Sequence, residues 1–369
     1  MGENVFLGAA AVTPIACGLA LATLYRRVRR KSSPATLSQI LVGNLLLLLF
    51  LVSSALLVGE VYYRFFYDTT DSLMYTKVSR RWEQRYYRWN TATARDNQEY
   101  KLFVSNGKRR ITFLGDSFTA GHGIKNVEDR FANRIRSQRP EWEVHVLARP
   151  GFDTWGEIEF LRTWVTNRYE LDLVALVYCL NDNSDMIPER WEAIDRIQAD
   201  VRNAGWLRQN SFFLDVVYHR LRLRNDPFMR GYFDLVQNAY RGPLWQQQQQ
   251  RLVQLKQLVE SNGGKLVVIT FPFLHALGAT YPYEFVHQQF RQFWSDQGVP
   301  HLDLLPTFRN LSPKDVTVNS FDAHPNERAN ELVTPLILEF LQTNLPSREA
   351  VSNSRIPASP EPRPSTEKH

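Results

Sequence analysis

"ITFLGDSFTAGHG", residues 111–123, decides how the rest of this chain is read. A short apolar run stops at Gly115-Asp116-Ser117 and gives way to small and polar residues, the pattern of a strand running into a turn. Ser117 is then expected at the carboxyl end of a β-strand. A serine there is either a nucleophile or the cap of the next helix. Only residues elsewhere in the chain can separate the two readings.

Downstream, short apolar runs alternate with amphipathic stretches. Strands are expected at 111–114, 144–147, 171–178, 266–270 and 300–304. One intervening helix is expected over 245–260, with Leu252, Leu255, Leu258 and Val259 on one face and a stop at Asn262-Gly263-Gly264. Its "QQQQQ" reads as a solvated helical face, since glutamine is a fair helix former. Another helix follows Pro325 and runs through "ERANELVTPLILEFLQ". Apolar strands alternating with helices predict a parallel sheet covered on both faces, an α/β fold. The aromatic-rich stretch 186–243 breaks the rhythm and is expected to be a helical insertion. Residues 346–369, rich in proline and polar residues, have the composition of a disordered tail.

In such sheets ligands sit beyond the carboxyl ends of the strands. After the first strand come Asp116 and Ser117. After the second comes "ARPGFDTWGE" with Gly151, and after the third "CLNDNSD" with Asn181 and Asp182. After the last comes "NSFDAHPNERAN" with Asp322 and His324. These are the parts of an acyl-transfer site. A serine hydroxyl attacks only if a base takes its proton, and His324 can do so near neutral pH. Asp322 can fix the imidazole tautomer. The Ser117 and Gly151 backbone N–H groups and the Asn181 amide can serve as oxyanion donors. Asp116 and Asp182 read as loop-fixing residues, and His122 as a residue near the site without a role in the chemistry.

"GDSFT", "PGFDT", "LND" and "DAHPN", in this order, resemble the four blocks of the SGNH/GDSL hydrolase superfamily. The resemblance covers roughly residues 83–343 and includes "RWNTATARDNQEY", similar to the entrance segment of some bacterial members. It implies a flavodoxin-like three-layer α/β/α sandwich with a five-stranded parallel sheet and metal-independent ester hydrolysis. It also implies Ser117 as nucleophile, His324 as base, and Gly151 and Asn181 as oxyanion donors. Three positions depart from the pattern. Cys179 stands where the third block usually has Gly, Ala148 where the second usually has Asn, and Asp322 and His324 are spaced D-x-H rather than D-x-x-H. At the shorter spacing a backbone carbonyl can take the orienting role in place of Asp322.

The chain has 369 residues, 44% of them apolar and 22% charged, enough for a sizeable core. The net charge of +6 owes much to Arg26, Arg27, Arg29, Arg30 and Lys31, so it gives no reason to expect a nucleic-acid partner. Two cysteines and scattered histidines give no disulfide framework and no metal-ligand spacing. The Gly-Lys-Ser/Thr of a phosphate loop is missing, so no cofactor is expected.

Residues 5–25 and 40–59 carry no charge, and each is long enough to cross about 30 Å of hydrocarbon at 1.5 Å per residue. The basic loop "RRVRRKSSPATLSQ" between them is expected in the cytoplasm. Everything after the second span is then extracytoplasmic, in a bacterium the periplasm, on an inner-membrane anchor. Residues 1–62 thus read as a two-helix hairpin whose partner is the lipid bilayer. Residues 63–109 read as a juxtamembrane stalk and domain entrance, and 110–345 as the hydrolase domain. The reading is a membrane-anchored serine esterase acting on O-acyl, including O-acetyl, esters of carbohydrate or lipid. An O-acyltransferase acting on an envelope polysaccharide and a catalytically silent binding or anchor protein are the alternatives. Protein partners cannot be read from the sequence.

Overall fold

The structure, a computed structural model, describes residues 2–30 and 34–346; Lys31 of the basic cluster and 347–369 of the Pro-rich tail lie outside them. The chain divides into two compact units. One contains Met1–Tyr87, Ile187–Leu235 and Val318–Asp322, and the other Arg88–Met186, Val236–Thr317 and the chain from Ala323 onward.

The second unit is built on five parallel strands: β1 (Arg109–Gly115), β2 (Trp142–Ala148), β3 (Leu173–Cys179), β4 (Lys265–Phe271) and β5 (His301–Asp303). Their order is β2-β1-β3-β4-β5, with Gly115 level with Ala148 on one side and Val177 on the other. This is the flavodoxin-type order, in which the chain changes direction between β1 and β3. All five strands fall where the apolar runs place them; β1, β2 and β4 are longer than expected, and β3 and β5 shorter. β1 and β3 are buried along almost their whole length, as strands covered on both faces must be.

Helices Phe131–Gln138 and Glu327–Asn344 pack on one another, joined by a hydrogen bond from Phe131 N–H to Asn330 Oδ1 (3.0 Å). Helices Thr154–Thr166 and Pro243–Ser261 form a second pair, in which Gln248 donates to Thr154 Oγ1 at 2.7 Å. Gln248 is one of the five glutamines expected to be solvated. It is fully buried, because its amide also reaches Tyr178 Oη (3.1 Å) in the core. The five-stranded parallel sheet with its helices is the fold that the resemblance implies.

The first unit begins with two long apolar helices, Gly2–Arg29 and Leu37–Val61. The two pack on one another, yet almost none of the residues in their apolar stretches is fully buried within the protein. The second continues into one π-helical turn, Tyr62–Phe66. From there to Tyr87 the chain is part of the first folded unit. Arg64 and Trp82 are buried, and helix Lys77–Tyr86 packs on helix Phe212–Asn225 of the insertion. Arg81 donates to the carbonyls of Tyr63, Arg64 and Tyr67. The first seven residues of "RRWEQRYYRWN" lie in helix Lys77–Tyr86, which buries Val78, Ser79 and Trp82 on one face. The segment 88–108 belongs instead to the sheet unit.

One carboxylate ties the hairpin to the insertion. Glu60 is buried and accepts from Arg64 Nε (2.8 Å) and Nη2 (2.6 Å), Ser211 Oγ (2.6 Å), Phe212 N (3.2 Å) and Phe213 N (3.1 Å). It therefore sits on the otherwise unpaired N–H groups opening helix Phe212–Asn225.

Candidate active site

Ser117 opens a one-turn helix, Ser117–Ala120, directly after β1. Asp116 caps that turn, accepting from Phe118 N at 2.8 Å. Gly115 is required by crowding: a Cβ there would lie 2.9 Å from Val177 O and would collide with Thr119. The strand thus passes into the helix with no room for a side chain, and Ser117 stands at its carboxyl end.

His324 lies on the short strand Asp322–Pro325. Its Nε2 is 2.8 Å from Ser117 Oγ, although the two residues are 207 positions apart in sequence. The imidazole is bracketed by Phe118 (ring centroids 5.4 Å apart) and by buried His122 (4.4 Å). Arg95, from the "RWNTATARDNQEY" segment, donates to the carbonyls of Gly121 and Ile124 and so holds the loop that carries His122.

The loops carrying Gly151 and Asn181 follow β2 and β3, the two strands flanking β1. Arg149 N–H donates to Gly115 O (3.4 Å), and Thr154 N–H to Asp182 O (3.0 Å), so the three loops are joined by backbone hydrogen bonds. Gly151 has φ +86°, which a side chain would strain. Asn181 is half-buried in the turn after β3. Asp182 holds that turn by accepting from Cys179 N at 2.9 Å. Cys179 itself is buried, and burial followed by the charges of Asp116 and Asp182 pushes its thiol well above the usual range. It is therefore no rival nucleophile. Asp322 falls in the other unit, where its carboxylate accepts from buried Thr70 Oγ1, a partner that no sequence signal marks.

Beneath the loops lies a group the sequence did not single out. Glu157, in the first turn of helix Thr154–Thr166, is fully buried, and neither of its oxygens has a hydrogen-bond partner among the described residues. Burial, then the charges of Asp116 and Asp153, push its carboxyl well above the usual range. Burial, then Glu157 and Asp116, do the same to Asp182. Asp116 is pushed up by burial to about 6, against the hydrogen bonds it accepts from Phe118 and Ser117. Like charges in a dry interior cannot all ionise together.

The folded state holds these protons at pH values where an unfolded chain has released them. Stability is then greatest in mild acid and falls as pH rises through the raised values. Glu157→Gln removes one such carboxyl. Relative to the parent its melting temperature is expected to rise steadily from pH 5 to pH 9 in thermal unfolding. A shift equal at every pH would contradict the assignment.

No protein-family model matches the chain, and no curated protein matches it. Solved structures similar to it include a member of the lipolytic G-D-S-L family from Veillonella parvula DSM 2008. That likeness has 13% identity and a TM-score of 0.40, and covers 64% of this chain and 100% of that one. An extracellular lipase from Streptomyces rimosus is similar at 15% identity and TM-score 0.39 over 64% of this chain and 99% of its own. The lipase/acylhydrolase from Enterococcus faecalis is similar at 16% and 0.39 over 64% and 97%. Likeness of this degree leaves the chemistry of the present chain to be argued from Ser117, His324 and the loops around them.

Proposed function

We propose that the protein is a serine ester hydrolase of the SGNH type, held on a membrane by its two N-terminal helices. The observation that carries this reading is the 2.8 Å contact between His324 Nε2 and Ser117 Oγ. His324 takes the hydroxyl proton as Ser117 attacks the ester carbonyl. The tetrahedral oxyanion is met by the Ser117 and Gly151 N–H groups and the Asn181 amide. Its collapse expels the alcohol, which takes the proton back from His324 and leaves acyl-Ser117. Water then attacks with the same base and releases the acid. Asp322, two residues before His324 in the chain, is the proposed orienting carboxylate. The proposed substrates are O-acyl, including O-acetyl, esters of carbohydrate or lipid.

The proposed topology puts both ends of the hairpin outside the cytoplasm. Glu3 pairs with Lys77 at 2.5 Å and Glu60 caps the insertion helix, so both ends meet the same folded unit. Arg26, Arg27, Arg29 and Arg30 lie at the opposite end of the first helix, where the positive-inside rule expects the cytoplasm.

A fluorophosphonate probe added to the full chain in nanodiscs is expected to attach to the peptide containing Ser117. Absence of labelling would point to a silent binding protein. Acyl transfer to added sugar at the expense of free acid would relabel the enzyme a transferase. Asn181→Ala is expected to lower kcat about 10²- to 10³-fold, as loss of one oxyanion donor does elsewhere. An unchanged kcat would remove Asn181 from the site.

A further inference from the structure

The insertion carries a short helix, Trp206–Asn210, that runs beside the start of the first apolar helix. Its polar side is fastened by charged residues. Lys77 Nζ bridges Glu3 Oε1 (2.5 Å) and Gln209 O (2.8 Å), and Arg64 Nη2 donates to Asn210 O (2.9 Å). Arg208 turns back onto Tyr218, 3.7 Å from the ring centre, and pairs with Asp200 (3.2 Å). Its apolar side has no such cover, with Trp206 53% and Leu207 56% exposed.

The depth of these two residues follows from their neighbours. Glu3, Arg64 and Lys77 form a charged layer where the hairpin meets the folded unit. Phe6 is three residues further along the first helix, about 4.5 Å from Glu3 toward the apolar segment at 1.5 Å per residue. The Trp206 ring lies against Phe6, 6.0 Å between centroids. Trp206 therefore stands on the apolar side of the charged layer, beside surface that belongs to a helix long enough to span. Phe65 and Phe66, at the end of the second apolar helix, are exposed as well. An aromatic residue beneath a layer of basic groups is the composition of a membrane interface.

We infer that the insertion rests on the bilayer. Helix Trp206–Asn210 lies in the outer interface, with Trp206 and Leu207 among the first carbons of the acyl chains and the ion-paired layer of Glu3, Arg64 and Lys77 at the depth of the headgroups. The apolar surface of the hairpin continues into this face, so the occupant it fits is lipid. The insertion is then a third membrane contact, made by a segment that opens at Pro188, far in sequence from the end of the second apolar helix at Val61. The inference rests on the membrane-anchored reading above.

Leu207→Cys, in a Cys17→Ala background, carries an environment-sensitive nitrobenzoxadiazole label; Cys179 is buried and stays unlabelled. The full chain is reconstituted in phosphatidylcholine vesicles containing nitroxide lipids. The label at 207 is expected to lose at least half its emission to a 5-position nitroxide and less to a 12-position one. A label at Leu48→Cys, in the middle of the second apolar helix, should show the reverse order. Quenching at 48 but not at 207 overturns the inference and leaves the anchor intact. Quenching at neither overturns both.

Discussion

Ser117→Ala is expected to lower hydrolysis of p-nitrophenyl acetate about 10⁴- to 10⁶-fold while leaving the fold unchanged, the scale on which removal of a serine nucleophile acts in hydrolases. The serine hydroxyl contacts only His324 Nε2 (2.8 Å) and Asp116 Oδ2 (3.3 Å) among the hydrogen bonds described for it, so little stability goes with it. His324→Ala is expected to fall to a similar level, and the double variant no lower than either single one, because nucleophile and base act as one unit. Turnover assays with matched far-ultraviolet circular dichroism check all three. Retention of a tenth of the activity by Ser117→Ala would sink the assignment.

The second large effect is on stability. Asp96 and Arg130 are both fully buried, 3.3 Å apart, and Arg136 reaches the same carboxylate at 2.6 Å. Burial alone would raise the Asp96 pKa, but the hydrogen bonds from Arg136 and the charges of Arg130 and Arg136 outweigh it and hold the carboxyl well below the usual range. Asp96→Ala strands two guanidinium groups in a dry interior and is expected to cost about 3–5 kcal/mol. For a unit of this size that is a fall in melting temperature on the order of 10 °C. Because the native value is depressed, the contribution is complete above pH of about 4, where the unfolded carboxyl has ionised, and is lost as pH falls toward the native value. Thermal unfolding at pH 7 and pH 3 should therefore show a smaller gap between parent and variant at the lower pH. A gap that widens in acid would contradict the assignment. Some activity should fall too, since Arg130 also lies 3.4 Å from the carbonyl of Ala120, which ends the Ser117 helix.

Ser117, Gly151 and Asn181 were legible because each follows an apolar strand of the sheet, whereas His324 lies on a separate short strand, Asp322–Pro325. The residue types of Ser117 and His324 suggested the pair, and in the structure the two side chains lie 2.8 Å apart. Glu157 could not be found that way. In "TWGEIEFL" it reads as an ordinary polar position near a helix start, where acids are common. Its burial follows from the packing of helix Thr154–Thr166, which local sequence does not encode. The same holds for Thr70 beneath Asp322 and for Gln248 within its glutamine run. Residues 63–87 were the hardest to place, because their aromatic and basic side chains fill a surface built from distant segments. Only part of the stretch, Lys77–Tyr86, is a helix, and its buried face meets residues from far along the chain.

Glu60 carries a practical consequence for handling the protein. A chain trimmed to begin after Phe66, the obvious route to a water-soluble form, loses the carboxylate that accepts from Ser211, Phe212 and Phe213. The first turn of helix Phe212–Asn225 would then open onto unpaired donors, leaving only the Ser211 hydroxyl, which accepts from Leu214 N at 3.0 Å. The second apolar helix thus also completes the opening turn of a helix distant in sequence, and soluble truncations should be cut ahead of residue 60 rather than behind it.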